Sequence, residues 1–130
     1  MAVNPSYLAF VLEQLQSLPA VGSRRMFGGV GLYSADVFFG LLDNDTLYFK
    51  VDDESVKEYQ AAGSGPFRPY PDRPEQAMHG YYQVPASVLE DADGLARWAR
   101  RAVAVGAASA RAKRGRRRNT RRAPRRKPAR

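Results

Sequence analysis

The chain has 130 residues, with twenty-one Lys/Arg, thirteen Asp/Glu and a formal net charge of +8. That length allows one domain, and an apolar fraction of 44% suffices for one hydrophobic core. The lack of cysteine excludes a disulfide framework and a thiolate metal site, and apolar runs such as residues 8–12 are too short to span a bilayer.

Residues 4–17 read as a helix. Asn4 caps it, Pro5 suits its first position, and Leu8, Val11, Leu12 and Leu15 follow the i, i+3, i+4, i+7 spacing. Pro19 stops it. Three strand-like runs follow at residues 25–33, 37–42 and 46–51, separated by Ser34-Ala35-Asp36 and Asp43-Asn44-Asp45. In the third, Leu47, Phe49 and Val51 share one face, and Tyr48 and Lys50 share the other. Asp52 and Asp53 open a short helix that ends near Ala62 and is stopped by Gly63-Ser64-Gly65-Pro66. Residues 67–71 and 78–84 read as two more strands, and Pro69 and Pro71 confine the first to a sheet edge. Pro85 begins a turn. A last helix over residues 93–110 presents Leu95, Trp98, Ala99, Ala102 and Val105 as its apolar stripe. Trp98 is expected to be largely buried against the sheet.

The order α-β-β-β-α-β-β-α, without a βαβ glycine fingerprint, predicts an α+β fold. An antiparallel sheet of about five strands is packed by helices, with one face on the core and the other wetter. The charge divides the chain a second way. All acids lie between Glu13 and Asp93, so the first 110 residues carry nine cations against thirteen acids, and the last twenty carry twelve cations and no acid. A folded domain over residues 1–110 and a tail over 111–130, disordered when free, are therefore expected. The N-terminus lacks the basic start and long apolar stretch of a signal peptide, so a cytoplasmic protein is expected, with nucleoid association through the tail.

The segment Arg24-Arg25-Met26-Phe27-Gly28-Gly29-Val30-Gly31-Leu32-Tyr33 resembles the N-terminal domain of the TfoX (Sxy) family. Residues 47–52, Leu-Tyr-Phe-Lys-Val-Asp, are similar to that family's third strand, residues 81–85, Tyr-Tyr-Gln-Val-Pro, to its last strand, and residues 98–102, Trp-Ala-Arg-Arg-Ala, to its closing helix. The resemblance covers roughly residues 7–105. It implies a non-enzymatic module related to bacterial regulators of natural competence genes, which act with a cyclic-AMP receptor transcription factor. It brings no catalytic residues. The regulators carry a second helical domain, in whose place this chain has its basic tail.

Several residue groups invite functional readings. Gly28-Gly29-Val30-Gly31 lacks the Lys-Ser/Thr and the following helix of a phosphate loop, and glycines in a strand mark a bulge or a close backbone approach. Arg24, Arg25 and Lys50 form a possible anion site on the sheet, against a plain role as solvated edge charges. His79, the one histidine, supplies too few ligands for zinc and stands in no nucleophile-elbow context. Asp43-Asn44-Asp45 lacks the glycine and terminal glutamate of a calcium loop. No cofactor and no metal are expected.

Tyr33, Tyr48, Tyr81 and Tyr82, with Phe27, Phe38, Phe39 and Phe49, are too many aromatics for one face. The surplus is left for a helix, a second subunit or a ligand, and a core plus homodimer interface is favoured over base stacking. The tail cations Arg111, Lys113, Arg114, Arg116, Arg117, Arg118, Arg121, Arg122, Arg125, Arg126, Lys127 and Arg130 point to nucleic acid through phosphate attraction. Membrane attachment lacks an apolar anchor. The expected function is an interaction module with a homodimeric or transcription-related protein partner and a sequence-independent nucleic-acid tail. The alternative is a small-molecule or anion-binding domain using the aromatic sheet face.

Overall fold

In a computed structural model, described for residues 3–26, 28–70 and 72–126, the chain is α+β, with a six-stranded, wholly antiparallel sheet and helices that build the core on one of its faces. The elements are α1 (Pro5–Gln14), β1 (Val21–Met26), β2 (Gly29–Ser34), β3 (Val37–Asp43), β4 (Thr46–Lys50), α2 (Val56–Ala61), β5 (Pro66–Phe67), β6 (Met78–Gln83), α3 (Ala86–Leu89) and α4 (Ala92–Arg126). The strands lie in the order β1-β2-β3-β4-β6-β5.

The sixth strand comes from splitting the run expected over residues 25–33. Gly28 takes φ 79°, a left-handed conformation, and turns the chain between β1 and β2 so that Met26 pairs with Gly29. Gly29 is also a close approach, because a Cβ there would strike the Leu42 carbonyl of β3. The strand upstream escaped the periodicity test because Ser23, Arg24 and Arg25 lie on an exposed edge, where no apolar alternation is needed. The strand expected over residues 67–71 shrinks to Pro66–Phe67 at the opposite edge, as prolines that cannot donate to a ladder require; Pro71 lies outside the described residues.

Alternation sets the two faces of the sheet. Leu32, Leu42, Leu47, Phe49 and Tyr82 face the core, where they meet Val11 and Leu15 of α1, Tyr59 of α2 and Leu95, Ala99 and Ala102 of α4. A bulge where β2 meets β3 adds one residue to β3, and Phe39 is thereby buried with its ring 5.6 Å from that of Phe49.

Local capping agrees with the sequence. The Asn4 side chain accepts from the Ser6 amide at 2.9 Å, with Pro5 in the first turn. Asp52 and Ser55 cap each other reciprocally: the Asp52 carboxylate accepts from the Ser55 amide at 2.8 Å, and the Ser55 hydroxyl accepts from the Asp52 amide at 3.0 Å. These hydrogen bonds, led by that from the Ser55 backbone, hold the Asp52 carboxyl below its ordinary pKa.

Two expectations for the last helix change. Trp98 is half-buried and lies edge-on against Tyr59, with centroids 4.6 Å apart, while Leu95, Ala96, Ala99 and Ala102 take the buried positions. The small alanines let α4 approach the sheet closely, which leaves the bulky indole at the side of the stripe, over α2. The helix also continues through Arg126, past the end expected at Ala110. Alanine and arginine are strong helix formers, so the backbone does not break at the end of the apolar stripe. Residues 111–115 are exposed, and the tail helix draws no support from the core there.

Candidate functional site

Strand alternation places Tyr33, Phe38, Tyr48 and Tyr81 on the face away from the core. Among the described residues the helices pack on the first face, and this second face is partly roofed by the 67–78 segment. Phe67 folds over Tyr48 with ring centroids 4.8 Å apart. Beneath this roof lies a groove of about 720 Å³, lined among others by Met26, Leu41, Tyr48, Tyr70 and Met78, with Asp43 and Arg68 as charged members. Burial and the nearby Asp43 carboxylate raise the Tyr48 phenol above its ordinary pKa, against the smaller effects of Thr46 and Arg68. It stays a neutral hydrogen-bonding group throughout the physiological range.

Phe38 and Tyr81 also line this groove, and from them a chain of aromatic contacts continues across the sheet. The Arg24 guanidinium lies 4.8 Å from the Tyr33 ring centre. Tyr33 is 5.3 Å from Phe38, and Phe38 is 6.0 Å from Tyr81. The Lys50 ammonium lies 4.8 Å from the Tyr81 ring centre and donates to its hydroxyl at 3.3 Å. Tyr33, Phe38, Tyr81 and Lys50 are half-buried, and Arg24 is exposed.

The third part is the exit of α4. A Cβ at Gly106 would collide with the Phe38 carbonyl and lie 3.1 Å from Val37 Cγ1, so the helix passes the β2–β3 turn at backbone contact. It then overshoots the end of the sheet. A cleft of about 620 Å³ opens between the helix and the strand ends, with Lys50 and Tyr81 on one wall and Arg111, Lys113 and Arg114 on the other. Asp36 is the acid that lines it.

The residues singled out in the sequence are thus distributed unevenly. Arg24 and Lys50 share the open face, at the two ends of the aromatic chain of contacts. Arg25 pairs with the core residue Val30 and lines a separate hollow with Val3, Pro5 and Leu8 on the other face. Tyr82, Phe39 and Phe49 belong to the core, and Phe27 lies outside the described residues. His79 is exposed on β6. The Ser34 hydroxyl is used structurally, donating to the Pro19 carbonyl at 2.6 Å. Among the described residues no group of three or more His, Cys, Asp or Glu side chains is placed to hold a metal ion, and no helix is long and apolar enough to cross a membrane. Of the tail cations, Arg111, Lys113 and Arg114 line the cleft; Arg116, Arg117, Arg118, Arg121, Arg122, Arg125 and Arg126 lie on described helical backbone. The side chains of those seven, and the whole of Lys127 and Arg130, fall outside the described residues. The cleft had no sequence signal, because it depends on how far α4 runs past Gly106.

No curated protein matches the chain. The model of the TfoX N-terminal domain matches residues 13–106, from within α1 to the glycine at which α4 leaves the sheet. The match spans all six strands, α2, α3 and the first part of α4, and it ends before the basic extension; the chain belongs to the TfoX N-terminal domain family.

Proposed function

We propose that this chain is a non-enzymatic, cytoplasmic interaction module of the TfoX type whose basic C-terminal segment binds nucleic acid without reading sequence. The observation that carries this reading is the charge division: twelve cations and no acid follow Ala110, on a body that is net acidic. Dense cations displace the counterions condensed on a phosphate backbone, which gives affinity for any duplex. The family supports a regulatory setting linked to transcription or competence, in which the body contacts a second copy or a transcription-related partner.

The experiment is a salt titration of duplex binding by the full chain. If about half of the tail cations meet phosphates, log K falls against log salt with a slope near −5. Replacing Arg116, Arg117, Arg118, Arg121 and Arg122 with Gln flattens the slope and weakens unrelated sequences alike. Salt-insensitive binding, or none, overturns the proposal.

A second reading rests on the groove of about 720 Å³ under the 67–78 segment. It has the size, the aromatic lining and the few polar groups of a small-molecule site, with Arg68 placed to meet an anion. Tyr48 and Tyr70 make its occupancy visible by intrinsic fluorescence. Binding of a small aromatic acid that is lost in Arg68→Gln, with duplex binding unchanged, would favour it.

A further inference from the structure

We infer that the open sheet face is a second nucleic-acid contact, and that it takes a single strand, with bases on the Tyr33, Phe38 and Tyr81 rings and phosphates on Arg24, Lys50 and the cleft cations. The inference rests on the reading that the basic segment binds nucleic acid. Three observations carry it.

The first is the accessibility of the rings. Tyr33, Phe38 and Tyr81 are half-buried on a face that the helices leave uncovered and the 67–78 segment roofs only in part, with Phe38 and Tyr81 open to both the groove and the cleft, and they touch in sequence across the middle of the sheet. Aromatic side chains on an open antiparallel sheet are a stacking platform for two or three bases.

The second is the charge on that platform. Arg24 and Lys50 each lie 4.8 Å from a tyrosine ring centre, over the ring face; a base that stacks on the ring displaces the cation, whose long side chain then reaches the phosphate beside that base. Arg24 over Tyr33 also offers a guanidinium plane to a base. A second copy of this chain fits the same face poorly. It would place Lys50, which sits on the central strand β4, within a self-paired interface whose core is normally depleted of charge.

The third is continuity. The cleft beside Phe38 and Tyr81 joins this face to α4 through Lys50, Arg111, Lys113 and Arg114, against the single lining acid Asp36. A strand leaving the rings therefore reaches the basic helix through a cleft whose one lining acid, among the described residues, is Asp36. A duplex gains from the helix but not from the rings, because its bases are already stacked and paired. The face therefore discriminates strandedness, and the basic segment does not.

The test uses the full chain and fluorescence anisotropy with two probes: an oligothymidylate of about twelve nucleotides, within the span of one small domain, and a mixed-sequence duplex. Tyr81→Leu keeps an apolar side chain and removes one stacking ring; Phe38→Ala removes the central one. Arg24→Gln with Lys50→Gln keeps both rings and removes the cations. Thermal melting identifies the variants that remain folded. Single-strand affinity falls roughly tenfold or more on loss of a ring, the effect of one lost base stack, and duplex affinity stays within about twofold. The charge pair lowers single-strand affinity and its salt slope. Glutamine at the five tail arginines lowers both probes. If folded ring and charge variants leave the single strand unaffected, or weaken both probes equally, this inference fails while the tail reading stands. If the tail variant changes neither probe, the tail reading fails. If thymidine monophosphate displaces the oligonucleotide as well as an unlabelled strand does, the face is a small-anion site and the inference is overturned.

Discussion

Gly106 is the point at which α4 parts from the sheet, and Gly106→Ala separates two opposed effects. In a helix interior with open space around it, Gly→Ala stabilises by about 1 kcal/mol, because alanine loses less backbone entropy. At position 106 the new Cβ would meet the Phe38 carbonyl oxygen, which belongs to the ladder of β3, and would lie 3.1 Å from Val37 Cγ1. Neither is the free end of a flexible side chain. Overpacking of this kind costs about 1–3 kcal/mol. Two rigid partners put the steric cost in the upper part of that range, so it exceeds propensity, with a net loss of up to about 2 kcal/mol and a fall in Tm of up to roughly 8 °C for a domain of this size. The control is Gly115→Ala, where nothing lies within 4 Å of the added Cβ. It should leave the melting of the body unchanged and raise helical circular dichroism in the tail. Thermal denaturation of both variants decides the matter. A rise in Tm for Gly106→Ala would show that α4 does not pass the β2–β3 turn at backbone contact, and the cleft would lose its geometric basis.

Trp98→Ala should cost about 2 kcal/mol by urea denaturation, less than a fully buried indole, because the indole is only partly buried and what is lost is chiefly the packing on Tyr59; a change under about 0.5 kcal/mol would place the pair among ordinary surface contacts. Asp52→Ala should cost about 1 kcal/mol at neutral pH, as loss of a helix cap does. The Asp52 carboxyl is held below its unfolded pKa of roughly 3.9, so its contribution is present above that pH and fades as pH falls through the folded value; the gap between wild type and variant should narrow as the solution is acidified below the unfolded pKa, and a gap that widens on acidification would refute the assignment. Residues 1–110 should fold alone with a nearly unchanged Tm, since the buried positions of α4 end at Gly106; loss of cooperative melting would show that the tail is structural.

The legible parts of the fold were those in which a buried stripe imposes a period. Leu47, Phe49 and Val51 alternate because β4 sits in the middle of the sheet with one face on the core, and Leu95, Ala99 and Ala102 recur because α4 lies along that same face. Where no stripe is imposed, the reading blurred. The edge strand β1 buries too little to show a period, and the turn at Gly28 is one left-handed residue inside a run that otherwise reads as a single strand. Trp98 was misplaced because a helical stripe is wider than the strip that touches the sheet, and helix spacing alone does not say which edge meets a neighbouring helix. The site was legible as composition only. The surplus of aromatics and the pair Arg24 and Lys50 could be named, but the separation of Arg25 onto the other face depends on the strand register. The cleft depends on a close approach at Gly106, which no local pattern encodes.

The final helix joins these parts, and its charge order explains why it can serve both. Asp93 stands in its first turn, where an acid suits the helix dipole. Along the basic segment, however, cations three and four residues apart repel one another, by amounts similar to what a favourable pair contributes. Among the described side chains none beyond Gly106 is buried, so the helix there is held by propensity, weakened at Gly115 and Pro124, against that repulsion, and such a balance is marginal. Phosphates remove the repulsion without touching the propensity. Binding and helicity in residues 111–126 are therefore coupled, and duplex DNA should raise helical circular dichroism by an amount that truncation at Ala110 abolishes. Ordering costs free energy that is subtracted from the affinity, so substitutions that raise helicity in this segment, Gly115→Ala among them, should tighten binding to both duplex and single strand without adding a contact. Unchanged helicity at saturating DNA would mean that the segment binds as extended chain, and the cleft wall formed by Arg111, Lys113 and Arg114 would then not persist in the complex.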